Sequence, residues 1–440
     1  MRIGIFGSGY VGLVTGAAFA QLGHHVVVYD NDVTKIASLR DRRVPFYEPG
    51  LAELIERNAE RLDFADEPTA AAAARDVVFI AVGTPSAGDG RADLASVCRA
   101  ARTIAERIDG PTVIVNKSTV PVQTADVVER IVRAAARRTD VRVVSNPEFL
   151  REGAAIHDFF HPDRIVLGCD DPWAENVMRA LYAPLAAPVV VSDRRSAELI
   201  KYAANAFLAT RISYINEIAA ICEHTGADVD AVIEGIGLDR RIGRDYLEPG
   251  LGFGGSCLPK DVRALAATAA RVAVEPTLLA AVLRVNETQL ERVRSRLSYV
   301  LAGLRGRRIA LLGLSFKPQT DDLRESPALA LAAALAAEGA SIAAHDPAAT
   351  ASARALLGDT VAICQDAEDA LFGADAMVVA TSWPDYARLE PNAVAARMRR
   401  RVVFDLRRAL DGDAFAAAGF LYLAVGSPDR AYPLDAGATA

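Results

Sequence analysis

At 440 residues the chain exceeds what one ordinary hydrophobic core organises, which predicts two or three domains of about 100–200 residues each. Hydrophobic residues make up 51% and charged residues 24%, a globular balance that excludes a largely disordered chain. A net charge of −7 excludes a protein that coats nucleic acid, while leaving room for a local basic pocket that holds phosphates.

The opening segment, "MRIGIFGSGYVG", is broken by glycines after one strand's length and lacks the long apolar region of a signal peptide. No window holds about 20 uninterrupted apolar residues either, so a cytoplasmic protein is expected. Cys98, Cys169, Cys222, Cys257 and Cys364 show no C-x-x-C spacing, which suggests neither a disulfide framework nor a zinc site. No metal is expected.

Over residues 1–192, short β-branched runs ("IGIFG", "HVVVYD", "DVVFIAVG", "TVIVNKST", "RVVSNP") alternate with alanine-rich helical stretches. That rhythm predicts βαβ units and a parallel sheet covered by helices on both faces. Over 193–303 the strand signal vanishes, and "SAELIKYAANAFLATRISYINEIAAICEHTG" keeps helical spacing throughout, predicting a long central helix. The βα rhythm resumes over 304–425, through "RRIALLGLSFKP", "SIAAHDP", "DAMVVAT" and "RVVFDLR", and 426–440 has the composition of a flexible tail. The expected fold is therefore α/β: two doubly wound Rossmann-like domains joined by a long central helix within a helical connector domain.

In the first domain Gly7, Gly9 and Gly12 follow a strand and open a helix, and the next strand ends in Asp30. Glycines there permit a tight turn and close approach to a pyrophosphate, the helix start favours its charge, and the acidic residue can bind the ribose hydroxyls. Strand, turn, helix and acid agree, so a dinucleotide is predicted, and Asp30 would repel a 2′-phosphate, favouring NAD over NADP. Lys35 either helps to position the nucleotide or is a solvated helix charge.

Three later loops leave strand ends on the same predicted edge: "VGTP" with Thr84, "NKSTV" with Thr119, and "SNPEFLREG" with Glu148 and Glu152. Taken singly, the threonines fit turn or cap residues and the carboxylates fit surface charges; a shared edge makes general-base work a real alternative. Lys201 and Asn205, four apart on the central helix, share a face and can stabilise an oxyanion, or can border a solvated stripe.

The run "GLGFGGSCLPKDVRAL", from Gly250 to Leu265, is too rich in glycine for an element interior. Cys257 sits inside it, where Lys260 can favour the thiolate, whereas the other cysteines fit inert core residues. Asp261 can orient a water or the lysine, or cap the helix that follows. In "LLGLSFKPQTDDLRESP" no second G-x-G-x-x-G occurs, so Lys317 and Arg324 are candidate cations for a different phosphate-bearing ligand, or partners in interdomain salt bridges.

In this order, "GSGYVG", "VGTP", "STV", "NPEFLREG", "KYAANAFLA", "RIG…GFGGSCLPKD" and "FKPQTDDLRESP" make nearly the whole chain resemble the UDP-glucose 6-dehydrogenase family, within the wider nucleotide-sugar dehydrogenases. The resemblance implies a four-electron oxidation that uses NAD twice and turns the sugar's C6 hydroxymethyl group into a carboxylate. It makes Cys257 the nucleophile of a thiohemiacetal and then a thioester. It assigns oxyanion stabilisation to Lys201 and Asn205, and acid-base work and the hydrolytic water to Glu148, Thr119 and Asp261. The implied NAD contacts are Gly7, Gly9, Tyr10, Val11, Gly12, Asp30, Lys35, Thr84, Thr119, Glu152, Lys260 and Arg324. The implied sugar-nucleotide contacts come from three stretches: Glu148, Phe149, Leu150, Arg151 and Glu152; Lys201 and Asn205; and Tyr246, Leu247, Glu248, Pro249, Gly250, Phe253 and Gly254. Lys317 joins them, and Arg241 would arrive from a neighbouring subunit, implying a homodimer built around the long helix, with no nucleic-acid or membrane partner.

Leu258 departs from the phenylalanine common in enzymes for UDP-glucose and resembles the GDP-mannose branch, while "RIG" and "GFGGSC" resemble the UDP-glucose branch. UDP-glucose is the expected substrate, with GDP-mannose, UDP-N-acetylmannosamine or a dTDP- or CDP-hexose as the alternative. A silent nucleotide-sugar sensor is a remote reading. A two-electron hydroxyacid dehydrogenase would leave Cys257 and the third domain without a task.

Overall fold

The protein is described from a computed structural model, over residues 1–427. The expected tail therefore lies, beyond its first two residues, outside the described residues. Two compact units emerge: Met1–Asn205 with Arg263–Glu275, and Ala206–Val262 with the chain from Pro276 onward.

In the first unit eight strands form one sheet: β1 (Arg2–Phe6), β2 (His25–Tyr29), β3 (Leu62–Ala65), β4 (Val77–Ile80), β5 (Thr112–Asn116), β6 (Val141–Ser145), β7 (Ile165–Gly168) and β8 (Val189–Ser192). Their order is β3-β2-β1-β4-β5-β6-β7-β8. The central strands are continuous apolar runs because both faces are covered: Ile3, Ile5, Val77 and Val113 pack into one layer, and Phe6, Val78, Ile80 and Ile114 into the other. All pairings are parallel except β6 with β7, which meet antiparallel at Ser145 and Gly168. β3, β7 and β8, each four residues long, were not among the strands read in the sequence. The parallel order carries Gly7, Asp30, Thr84, Thr119 and Glu148 out of the C-terminal strand ends, the edge where such sheets place ligands.

The long predicted helix is Arg194–Thr225, 32 residues, running from the first unit's sequence into the second's. The second unit adds the helix Thr277–Val300 and six strands: β9 (Arg308–Leu312), β10 (Ser341–His345), β11 (Ala362–Ile363), β12 (Ala376–Val379), β13 (Val402–Asp405) and β14 (Leu421–Ala424). Their order, β11-β10-β9-β12-β13-β14, repeats the first sheet's doubly wound start and is parallel throughout. The α/β class with two such sheets is the one expected. Among the described residues no helix is long and apolar enough to cross a membrane.

Candidate active site

The turn after β1 is built by crowding. Gly7 has φ +108°, and a Cβ there would lie 2.6 Å from the Ala81 carbonyl; a Cβ on Gly12 would lie 1.9 Å from the Gly7 carbonyl. At Gly9 a Cβ meets nothing within 4 Å, so that glycine faces open space. The helix Tyr10–Gln21 starts there, aiming its first amides outward. Asp30 closes the turn by accepting from the Ser8 amide (2.7 Å) and hydroxyl (2.8 Å), with Lys35 at 4.0 Å. Burial pushes the Asp30 carboxyl up, but hydrogen bonds from Ser8 and Asp32, aided by Lys35, outweigh it and hold the group below the usual carboxylate range. It is an anion at neutral pH.

Thr84 and Thr119 belong together: the Thr84 hydroxyl donates to the Thr119 carbonyl at 2.9 Å. Nearby in the same unit lies a buried ion pair, Lys201 Nζ to Glu148 Oε1 at 3.1 Å, with both side chains about as deep as the core. Glu148 also accepts from the Leu150 amide at 2.6 Å, and the Lys201 ammonium sits 5.2 Å from the centre of the Phe149 ring. Asn205, one turn along the helix, is also buried. Arg151 pairs with Asp158 at 2.6 Å.

One turn before Lys201, buried Glu198 accepts from the amides of Gln123 and Ala125, each at 2.7 Å. It thereby ties the lysine helix to the end of the Thr119 loop and to the start of the helix Thr124–Ala135. Burial pushes its carboxyl up from 4.5 to about 7, against the pull of those amides; Asp126 adds to the rise and Arg194 opposes it. Because the folded form holds the proton more tightly than the unfolded chain, this contribution to stability is present at low pH and lost as pH rises through about 7. Melting temperatures taken between about pH 5 and about pH 8 should fall less steeply in Glu198→Gln than in the parent. Equal slopes would remove Glu198 as the source.

The glycine-rich segment in the second unit is held by its own chain. Asn216 accepts from the Gly250 amide (2.8 Å), Gln289 donates to the Gly250 carbonyl (2.7 Å), and Asn286 spans the amide and carbonyl of Phe253 (2.7 and 3.0 Å). A Cβ on Gly254 would lie 2.3 Å from the Glu325 carbonyl, and one on Gly255 2.7 Å from the Phe316 ring. Two of the glycines thus answer to packing against residues 316–327. Cys257 is exposed and immediately precedes the helix Leu258–Arg271, with its carbonyl accepting from the Asp261 amide at 2.8 Å. The sulfur therefore sits at the positive end of the helix dipoles, which favours a thiolate. Asp261 is fully buried and pairs with Lys260 at 2.5 Å, so the lysine and the acid act on each other.

In the same unit Arg324 pairs with Asp322 at 2.7 Å, and Lys317 lies 5.7 Å from the centre of the Phe316 ring. The turn after β9 mimics the first domain's but is filled. Asp346 ends β10 as Asp30 ends β2, yet it accepts from the amides of Leu314 and Ser315 and from the Ser315 hydroxyl, and the Trp383 indole donates to it at 3.3 Å. The Trp383 indole also lies within 3.1 Å of the Ser315 hydroxyl, packing this turn from its own chain. Arg241 projects from its loop, 88% exposed and paired with Asp239 at 2.6 Å.

Models of one protein family match the chain in three blocks: its NAD binding domain over residues 1–186, its central domain over 195–288 and its UDP binding domain over 310–412. The chain belongs to the UDP-glucose/GDP-mannose dehydrogenase family. It is 48% identical over 439 residues to a UDP-glucose 6-dehydrogenase of Rhizobium meliloti, covering 98% of this chain and 100% of that one. It is 46% identical over 430 residues to the UDP-glucose 6-dehydrogenase TuaD of Bacillus subtilis, covering 97% and 93%. Among solved structures, a UDP-glucose dehydrogenase from the archaeon Pyrobaculum islandicum superposes with a TM-score of 0.89 at 42% identity, covering 97% and 98%.

The residues of this family member fit the dinucleotide that the first domain takes. Gly9 leaves space beside exposed helix amides for a pyrophosphate, and Asp30 is a fixed anion for ribose hydroxyls. Three further residues, two in the first unit and one in the second, escaped the sequence reading. Glu48 accepts from Tyr10 and from the amides of Gly153 (2.6 Å) and Ala155 (2.8 Å), locking the helix start to the "REG" loop. Lys117 is buried against Asn146 (3.0 Å) and Tyr182 (3.1 Å); burial pushes its ammonium down to about 8, Glu148 raises it and Lys201 lowers it further. Arg407, at the end of β13, packs against Gly250 and is lowered by burial to about 10, so it stays charged at neutral pH beside Glu248. A lone charge directly after an apolar strand was the available signal for Lys117, which follows β5 at once; Arg407, beside Arg408 and close to Asp405, carried no such mark. Glu48 offered none, because its partners are far away in sequence.

Proposed function

We propose that this chain oxidises UDP-glucose at C6 to UDP-glucuronate. The observation that carries the reading is the pairing of two chemistries in one chain: a buried Lys201–Glu148 ion pair on the NAD-binding unit, and an exposed thiol, Cys257, at a helix start. When bound, NAD supplies a hydride acceptor, once for the alcohol and once for the thiohemiacetal. Lys201, once it has passed a proton to Glu148 and become a neutral amine, takes the proton of the C6 hydroxyl as the first hydride leaves, giving the aldehyde. Cys257 sulfur then adds to the aldehyde carbon; the C–S bond forms and the oxygen takes a proton back from the ammonium. Loss of that proton and of the second hydride gives a thioester. Water, oriented by Asp261, adds to the acyl carbon; the C–S bond breaks, one water proton goes to the departing sulfur to restore the thiol, and the other is released to solvent as the acid ionises to the carboxylate.

Lys117 beside the pair makes two buried ammonium groups to one carboxylate, a surplus of positive charge suited to C6 oxyanions. Asn205 would add a neutral donor. Thr84, Glu152, Lys260 and Arg324 are assigned to NAD, and Tyr246–Gly250, Gly254 and Lys317 to the sugar nucleotide, on the family motifs they match.

The protein acts in this reading as a cytoplasmic homodimer. Phe207, Tyr214 and Ile221 recur every seven residues along the Arg194–Thr225 helix and are 62%, 53% and 51% exposed, an apolar stripe that a second copy of the same helix would cover. Arg241 would serve the partner's sugar site. Light scattering should read twice the chain mass; a monomer at assay concentration removes this part. A panel of UDP-, GDP-, dTDP- and CDP-hexoses tests the substrate: UDP-glucose should give the highest kcat/KM, by about tenfold or more. A preference for GDP-mannose would instead give Leu258 the decisive role.

A further inference from the structure

Between Gly237 and Leu258 the chain runs through turns, without a helix or strand. Gly243 and Tyr246 both take positive φ, 71° and 62°. Tyr246 is not a glycine, so contacts around it must offset the cost of that left-handed conformation. Arg211, on the Arg194–Thr225 helix, meets this stretch with all three guanidinium nitrogens: Nε donates to the Asp245 carbonyl at 2.8 Å, and the two terminal nitrogens donate to the Ile242 and Gly243 carbonyls at 2.7 Å each. A planar fork with three acceptors in four residues sets both distance and orientation. A lysine, with one nitrogen, cannot reproduce it.

We propose that Arg211 is a positioning residue for the sugar nucleotide, clamping the 242–245 turn so that Arg241 on one side and Tyr246–Gly250 on the other are held in their binding conformation. This rests on the reading of those flanking residues as sugar-nucleotide contacts. The far end of the stretch is anchored separately, by Asn216 and Gln289 on Gly250, so Arg211 governs the near end. The nucleotide-turn residues, Gly7 to Lys35, lie in the other compact unit. Loosening the clamp should therefore act on one substrate and spare the other.

In Arg211→Lys the KM for UDP-glucose should rise about tenfold or more while the KM for NAD stays within about twofold, since at least one well-formed hydrogen bond is lost from the turn. Amide exchange over residues 242–247 should quicken in the same variant. If the lysine variant does not fold, Arg211→Gln takes its place in both measurements. Unchanged UDP-glucose KM with unchanged exchange overturns the clamp, and so does an equal rise in both KM values, which marks a merely structural residue. A separate arm uses the parent protein: saturating UDP-glucose should slow exchange over 242–250. Failure there, with fast exchange still induced by Arg211→Lys, sinks the sugar-nucleotide reading of the segment and, with it, the proposed role of the clamp.

Discussion

Cys257→Ser should lose uronate formation by at least about 10³-fold, because a serine hydroxyl is a far weaker nucleophile than a thiolate and the second oxidation needs the carbon-bound sulfur. The thiol is exposed and differs from serine by one atom, so the melting temperature should stay within the small range of ordinary surface substitutions. The atoms that crowd the Gly254 and Gly255 positions belong to Phe316, Glu325 and Pro327, not to the cysteine. A rapid-quench search of the parent protein during turnover should find a sugar acyl group on Cys257. A Cys257→Ser variant that makes uronate at the parental rate would remove the thioester mechanism and leave the exposed cysteine unexplained.

Lys201→Met carries the second large effect, and it falls on stability as well as on turnover. Removing the ammonium strands the buried Glu148 carboxylate, and breaking a buried pair from one side costs about 3–5 kcal/mol. Turnover should fall about 10²- to 10⁴-fold, the range for loss of a positioned acid-base group or oxyanion donor. The double variant Lys201→Met with Glu148→Leu removes both charges and should regain part of the lost melting temperature without regaining activity. Lys117 remains in the double variant, so the recovery is incomplete. A single variant as stable as the parent would mean that Glu148 finds another partner, and the pair would lose its place in the mechanism.

Which parts were legible in the sequence follows from how far apart the interacting residues lie. The nucleotide turn was fully readable, since Gly7, Gly9 and Gly12 act through backbone geometry within a few residues and Asp30 ends the very next strand. The long helix was readable from its spacing, and both sheets from their β-branched runs. The Lys201–Glu148 pair was not, because 53 positions separate the partners (201 less 148) and either residue alone fits a surface charge. Glu48, Glu198 and Arg211 were missed for a related reason: each acts on backbone amides or carbonyls of a distant loop, and backbone partners leave no mark on residue identity.

The cysteine segment shows the opposite limit. In sequence its glycines marked a backbone unsuited to an element interior; in the structure Gly254 and Gly255 are crowded by the Glu325 carbonyl and the Phe316 ring of the same chain. Composition identified an unusual backbone; its packing partners lie far along the chain, in residues 316–327. Lys260 and Asp261 form one ion pair in the structure, one of the alternatives the sequence left open for Asp261.

The central claim, a four-electron oxidation that passes through Cys257, is tested most directly by counting product. With limiting UDP-glucose and excess NAD, about two NADH and one UDP-glucuronate should form per sugar nucleotide consumed, with no free aldehyde. One NADH per sugar with aldehyde accumulating, or no NADH with any nucleotide sugar, would contradict it.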